Sequence, residues 1–179
     1  MSLIVPLSAR RRKKLQAKLD QDYDYRNYED DDIIVKSVGS AGRGVFAQRQ
    51  FTPGELILEI KGQLHRKSDY EGSTYVMDLS EKWLLEPSLP GAFVNHSCNP
   101  NAELIVATKK SMALIAICNI EEGSQIAFDY GWMAADWIPK CQCGAPNCRG
   151  WVVDQGQVEK MKKFEKKKKK KKDKKKKSR

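Results

Sequence analysis

The stretch Asn95-His96-Ser97-Cys98-Asn99-Pro100-Asn101 decides how this chain is read. Its seven small polar or turn-forming residues follow directly on the apolar Ala92-Phe93-Val94. If so many hydrogen-bonding groups lie inside a fold, each must find a partner, which makes the segment a candidate ligand-binding surface. Taken alone it also reads as a surface loop of Asx-type turns, and His96 as a structural histidine.

Working outward toward the C-terminus, Cys141-Gln142-Cys143-Gly144-Ala145-Pro146-Asn147-Cys148-Arg149-Gly150 spaces three cysteines as C-x-C-x4-C, with Gly and Pro at the bends. Three thiolates this close suggest tetrahedral zinc before disulfides, because zinc accepts Cys sulfur readily. The compartment is expected to be reducing: the basic cluster Arg10 to Lys14 runs into Leu15-Gln16-Ala17-Lys18, not into an apolar core with a cleavage site. A closed zinc site wants a fourth donor. Cys98 is the natural one, and it would tie the C-terminal segment onto the polar loop. Cys118, inside an apolar run, is expected to be a buried small hydrophobe. The bland alternative is three unrelated free thiols.

Toward the N-terminus, short apolar runs are punctuated by Gly, Pro and Asn. They are Ile33–Val38, Val45–Ala47, Leu56–Ile60, Tyr75–Leu79, Trp83–Leu85, Leu104–Thr108, Met112–Ile117 and Gln125–Phe128. These are strand-length pieces separated by turn signals such as Thr52-Pro53-Gly54-Glu55. No segment between Ile33 and Trp151 sustains a 3.6-residue period. The expected fold is mostly β, built of small sheets between roughly Ile33 and Val153. Gly39-Ser40-Ala41-Gly42-Arg43-Gly44-Val45-Phe46-Ala47 connects two of the expected strands. Its glycines let the backbone approach a ligand, although such a turn is by itself a plain hairpin connection.

Charge divides the chain again. The 179 residues carry 33 Lys+Arg and 23 Asp+Glu, a net +10. Residues 160–179 hold 15 basic and two acidic side chains, which leaves 18 basic and 21 acidic elsewhere. The main domain is therefore slightly acidic, and the Lys-rich tail is predicted to be disordered by self-repulsion. The tail reads either as a solubilising extension, or as a nuclear import signal or a non-specific, salt-sensitive contact with nucleic-acid phosphate. The longest apolar run, Met112 to Cys118, is far short of the roughly 20 residues a bilayer needs, so no membrane partner is expected.

In this order the motifs resemble the SET domain of protein lysine methyltransferases, followed by a post-SET zinc segment. Gly42-Arg43-Gly44-Val45-Phe46-Ala47 is similar to the family's first cofactor-binding motif. Phe93-Val94-Asn95-His96-Ser97-Cys98-Asn99-Pro100-Asn101 resembles the segment that threads a pseudo-knot. Ile126-Ala127-Phe128-Asp129-Tyr130-Gly131 resembles the closing strand with its catalytic tyrosine, and the C-x-C-x4-C cluster resembles the post-SET segment. The resemblance implies an N-terminal extension over 1–32, a SET domain over 33–133, a post-SET zinc segment over 134–153 and a basic, disordered tail over 154–179. One departure stands out: Ala92 occupies a place where the family often has Arg.

The resemblance also implies an activity, the transfer of a methyl group from S-adenosylmethionine to the ε-amine of a lysine. It assigns catalysis to Tyr130 and Tyr75. Cofactor binding falls to Gly42, Arg43, Gly44, Tyr75, Asn95, His96 and Tyr130. Zn2+ ligation falls to Cys98, Cys141, Cys143 and Cys148. Trp132 or Trp137 would wall a lysine channel. Phe128, where the family places Phe or Tyr, implies room for a di- or trimethylated product. The expected partner is a protein with a basic, Lys-containing segment such as a histone tail, and the expected location is the nucleus or chromosome. Two other classes stay open: a catalytically silent SET-like module that binds a lysine peptide, and a nucleic-acid-binding protein acting through its tail.

Overall fold

The computed structural model describes residues 29–39, 42–70 and 76–177. The chain divides into two compact units, one comprising residues up to Asn95 together with Pro100–Phe128, the other His96–Asn99 together with Asp129 onward.

The first unit is β structure. Its strands are β1 (Ile33–Ser37), β2 (Arg43–Ala47), β3 (Leu56–Ile60), β4 (Gly62–Arg66), β5 (Met77–Asp78), β6 (Trp83–Pro87), β7 (Asn95–His96, reaching into the second unit), β8 (Ala102–Val106), β9 (Met112–Ala116) and β10 (Gln125–Phe128). The larger sheet runs β1-β2-β10-β8-β9-β3 and the smaller β4-β6-β5. β1 and β2 pair antiparallel from Ile33↔Ala47 to Ser37↔Arg43, so the glycine-rich stretch is a hairpin connection. Ile33 and Val35 are buried on one face of β1, as period-two alternation requires. β3 breaks that alternation, because a register shift between Leu56 and Leu58 inserts Ile57 and turns both Ile57 and Ile60 inward. Val45, Phe51, Leu85, Leu114, Ile120 and Ile126 are fully buried.

β10 pairs antiparallel with β2 but parallel with β8, through Phe128↔Ala102. Asn101 pins this junction. Its side chain accepts the Ala127 N–H and donates to the Gln125 carbonyl, both at 2.9 Å. A polar residue inside the fold has thus met its hydrogen-bond obligations.

The structure changes several expectations. β4 carries no sequence signal, because Gly62-Gln63-Leu64-His65-Arg66 has no fully buried residue and is held by its register with β6. Cys118 is exposed, not buried: β9 ends at Ala116, and the chain turns outward through Ile117 and Cys118. Tyr75 lies outside the described residues.

The largest correction concerns the tail. Val158–Lys177 forms a helix, α1, in the second unit. Val158, Met161 and Phe164 recur at three-residue spacing and pack on a cluster containing Ile138, Trp151 and Val153. Met161 is 3% exposed. Lysine is itself a good helix former, and its like-charge repulsion costs only a few tenths of a kcal/mol per pair. The apolar stripe of the first two turns therefore outweighs the self-repulsion. Lys140 adds a cation–π contact with Trp151, 3.9 Å from the ring centroid, and an ion pair with Glu165 at 3.0 Å. Among the described residues no helix is long and apolar enough to cross a membrane.

Candidate functional site

In the first unit, two motifs half a hundred residues apart in sequence converge on β2. Asn95 donates its Nδ2–H to the Arg43 carbonyl oxygen at 2.8 Å. A Cβ on Gly44 would lie 2.6 Å from Gln125 Nε2, 3.0 Å from Asn95 Nδ2 and 3.1 Å from Val38 Cγ1. The two amide side chains thus occupy the space a side chain at 44 would take, which explains the glycine. Gly42 has a φ of 82°, a conformation in which glycine replaces any other residue without strain. Gly42, Arg43, Gly44 and Asn95 therefore form one polar cluster at the start of β2. Phe128, 7% exposed, closes β10.

In the second unit, Cys98, Cys141, Cys143 and Cys148 gather with all four sulfurs within 4.8 Å of one another. Cys98 Sγ and Cys141 Sγ are 3.8 Å apart. Zn–S bonds of about 2.3 Å in a tetrahedron put sulfurs roughly 3.8 Å apart, so the set fits zinc. Backbone N–H groups point at the sulfurs: Cys98 at Cys143 Sγ, Cys143 at Cys141 Sγ and Arg149 at Cys98 Sγ, at 3.4 to 3.5 Å. Burial pushes the Cys98 and Cys141 thiols up. Burial acts the same way on Cys143, but the N–H groups of Cys98 and Ala145 and the neighbouring thiols outweigh it and bring this thiol down to about 6. Of the alternatives, a four-cysteine site prevails over unrelated thiols.

His96 stands between this cluster and Tyr130. Its Nε2 is 3.3 Å from Cys98 Sγ, and its Nδ1 accepts the Tyr130 N–H at 3.2 Å. An accepting Nδ1 places the ring proton on Nε2, toward sulfur. The His96 and Tyr130 rings meet edge-on at 5.3 Å, and Trp132 and Trp137 continue the series at 5.3 and 5.7 Å.

Two further residues complete the arrangement. Arg149 grips both oxygens of Asp129. Asp129 also accepts the Gly131 N–H at 3.1 Å and lies 3.5 Å from His96 Nδ1. Burial opposes the Asp129 charge, but the Arg149 guanidinium and the Gly131 N–H outweigh it and hold the carboxyl below its usual range. The motif reading gave neither residue a role. Their adjacency to Tyr130 and Cys148 was the available signal.

Comparison with known proteins follows the same lines. A family model described as the SET domain matches residues 42–131. A histone-lysine N-methyltransferase of Emericella nidulans, H3 lysine-36 specific, is 30% identical over 164 residues, covering 81% of this chain and 16% of that protein. Histone-lysine N-methyltransferase mes-4 of Caenorhabditis elegans is 30% identical over 137 residues, covering 61% of this chain and 15% of that protein. The chain thus spans less than a fifth of the length of these relatives. Among solved structures, KRYPTONITE in complex with mCHG DNA and SAH aligns with a TM-score of 0.58 at 23% identity, over 66% of this chain and 28% of that one. A second KRYPTONITE structure, with mCHH DNA, an H3(1-15) peptide and SAH, aligns with a TM-score of 0.57 at 22% identity, over 66% of this chain and 29% of that one. At these identities the likeness is one of fold.

Proposed function

The chain belongs to the SET-domain family, and from that premise we propose that it is a protein lysine N-methyltransferase acting on a basic, histone-type peptide. S-adenosylmethionine, when bound, supplies an electrophilic methyl group on a positively charged sulfur. The names of the relatives and the SAH and H3 peptide of the KRYPTONITE structures support this choice of substrate and cofactor.

The observation that carries the reading is the fixed position of Tyr130, whose N–H is held by His96 and whose ring lies between those of His96 and Trp132. In the proposed roles, Gly42, Arg43, Gly44, Asn95 and His96 bind the cofactor, and Tyr130 orients the reacting groups through its hydroxyl, with Tyr75 as a second contact. A lysine amine is protonated in water, with a pKa near 10.4, and an apolar channel disfavours that charge. Trp132 and Trp137 supply such a wall, and Phe128, lacking a hydroxyl, leaves space for further methyl groups. Cys98, Cys141, Cys143 and Cys148 would hold Zn2+ as a structural ion and so keep His96 and Tyr130 in place. The Lys-rich α1 suits a non-specific contact with nucleic-acid phosphate, and the location in keeping with both readings is the nucleus or chromosome.

The test is incubation with labelled S-adenosylmethionine and a panel of histones, with the methylated site mapped by mass spectrometry. Transfer to a lysine side chain is expected. Y130F should lose most of the rate and still bind the cofactor, whereas a silent binding module would transfer no methyl group with or without Tyr130.

A further inference from the structure

The smaller sheet carries a second polar feature, to which the roles proposed above assign nothing. Arg66, Lys67, Ser68, Glu81, Lys82 and Trp83 line a cleft of about 440 Å³ at one end of the β4–β6 pair. The register places Arg66 directly opposite Trp83, and the Lys67 N–H donates to the Lys82 carbonyl at 3.1 Å. The backbones of Lys67 and Lys82 are thus joined just beyond the ends of β4 and β6. Asp78 pairs with Lys67. Neither Arg66 nor Lys82 has an acidic partner among the described residues, so two guanidinium or ammonium groups remain beside one rim carboxylate, Glu81. Between them stands Trp83, 37% exposed, with the Arg66 guanidinium 5.5 Å from its ring centroid.

Two cations beside one carboxylate leave a net positive charge that suits an anion, and an exposed indole asks for a flat apolar partner. A carboxylate-rich peptide satisfies only the first demand. A nucleotide within a single strand satisfies both, because its phosphate takes the cations and its base stacks on the ring. We propose that this cleft binds single-stranded nucleic acid, one base lying on Trp83 and the adjoining phosphates meeting Arg66 and Lys82. This contact belongs to the folded sheet and does not depend on the methyltransferase reading.

The test is fluorescence anisotropy of the full chain with a labelled oligothymidine of about twelve nucleotides, read at several salt concentrations. W83A should weaken binding at least fivefold with an unchanged salt slope, the signature of one lost stacking contact. R66Q/K82Q should reduce the slope of log affinity against log salt by about 1.4, roughly 0.7 for each lost phosphate contact. W83F and R66K/K82R, which keep ring and charge, should bind as the unaltered chain does. Three results overturn the proposal. In the first, all these variants bind like wild type and only Lys-to-Gln changes at 166–172 reduce affinity. In the second, polyglutamate competes in a way that R66Q/K82Q abolishes and W83A does not touch, which marks an acidic protein partner. In the third, W83F and R66K/K82R lose binding as well, which marks a folding defect in place of recognition.

Discussion

Arg149 and Asp129 form a two-pronged ion pair, Nη1 to Oδ2 and Nη2 to Oδ1, each at 2.6 Å, with side chains 10% and 31% exposed. Arg149 directly follows Cys148 and its N–H points at Cys98 Sγ, while Asp129 directly precedes Tyr130. The pair thus ties the cysteine cluster to the tyrosine. R149A leaves a partly buried carboxylate without its partner, a cost of about 2 kcal/mol, between the exposed and buried limits. R149K keeps the charge but not the planar fork. Both variants are expected to lose at least tenfold in kcat while cofactor affinity changes by less than threefold. Both should still hold one zinc per chain and release it faster to a chelator. Equal kcat in R149K and wild type would contradict a role for the fork.

Zinc removal should act on the same chain of contacts. Because burial raises the Cys98 and Cys141 thiols, these groups carry protons at neutral pH until a cation displaces them. Zinc affinity is therefore expected to fall as pH is lowered from 8 to 6, measured by competition with a chromogenic chelator. C98S removes the ligand beside His96 Nε2. It should lower both zinc retention and methyl transfer by at least tenfold, and added zinc should restore little of either.

Product state offers an independent check. Phe128 is buried at the end of β10, two residues before Tyr130. If it shapes the space around the amine, the unaltered chain should carry a saturated reaction to the di- or trimethyl state. F128Y should shift the product toward monomethyl, read by mass spectrometry of the peptide. A wild-type reaction that stops at monomethyl would remove Phe128 from this role.

How much was legible in the sequence depended on whether the decisive signal was local. Ile33–Val38, Val45–Ala47 and Gln125–Phe128 announced their strands as short apolar runs between turn residues, and Cys98 announced its place with the distant cysteines because zinc geometry constrains the count of thiols. β4 was silent, since register with β6 holds Gly62–Arg66 and no apolar pattern marks it. The Arg149–Asp129 pair joins two motifs that each looked complete alone. In α1 the net charge of the whole tail concealed three apolar residues, although those residues decide the fate of the segment.

That helix yields its own prediction. Met161 is 3% exposed against Ile138, Trp151 and Val153. M161A should destabilise α1 and its cluster by about 2 to 4 kcal/mol, the usual range for a buried Met-to-Ala truncation. Far-UV circular dichroism should lose helical signal at a lower temperature in M161A than in the unaltered chain. A helix unmoved by M161A would mean that Lys propensity alone sustains it.

The smaller sheet responds to pH through Glu86. Burial pushes this carboxyl up to about 7, and the Tyr70 hydroxyl donates to it. In the unfolded chain the same group titrates near 4.3. Between those two values the folded protein keeps a proton that the unfolded chain has released, so this group's contribution is greatest below about 4.3 and is lost as pH rises through about 7. Partial solvent exposure reduces the effect to about 1 to 2 kcal/mol. E86Q keeps an oxygen that can accept from Tyr70 and carries no charge at any pH. Thermal melts from pH 5 to 8 should show Tm falling in the wild type and a flatter profile in E86Q, with the variant the more stable of the two at pH 8. Parallel profiles would mean that Glu86 ionises in the folded state as freely as it does in the unfolded chain.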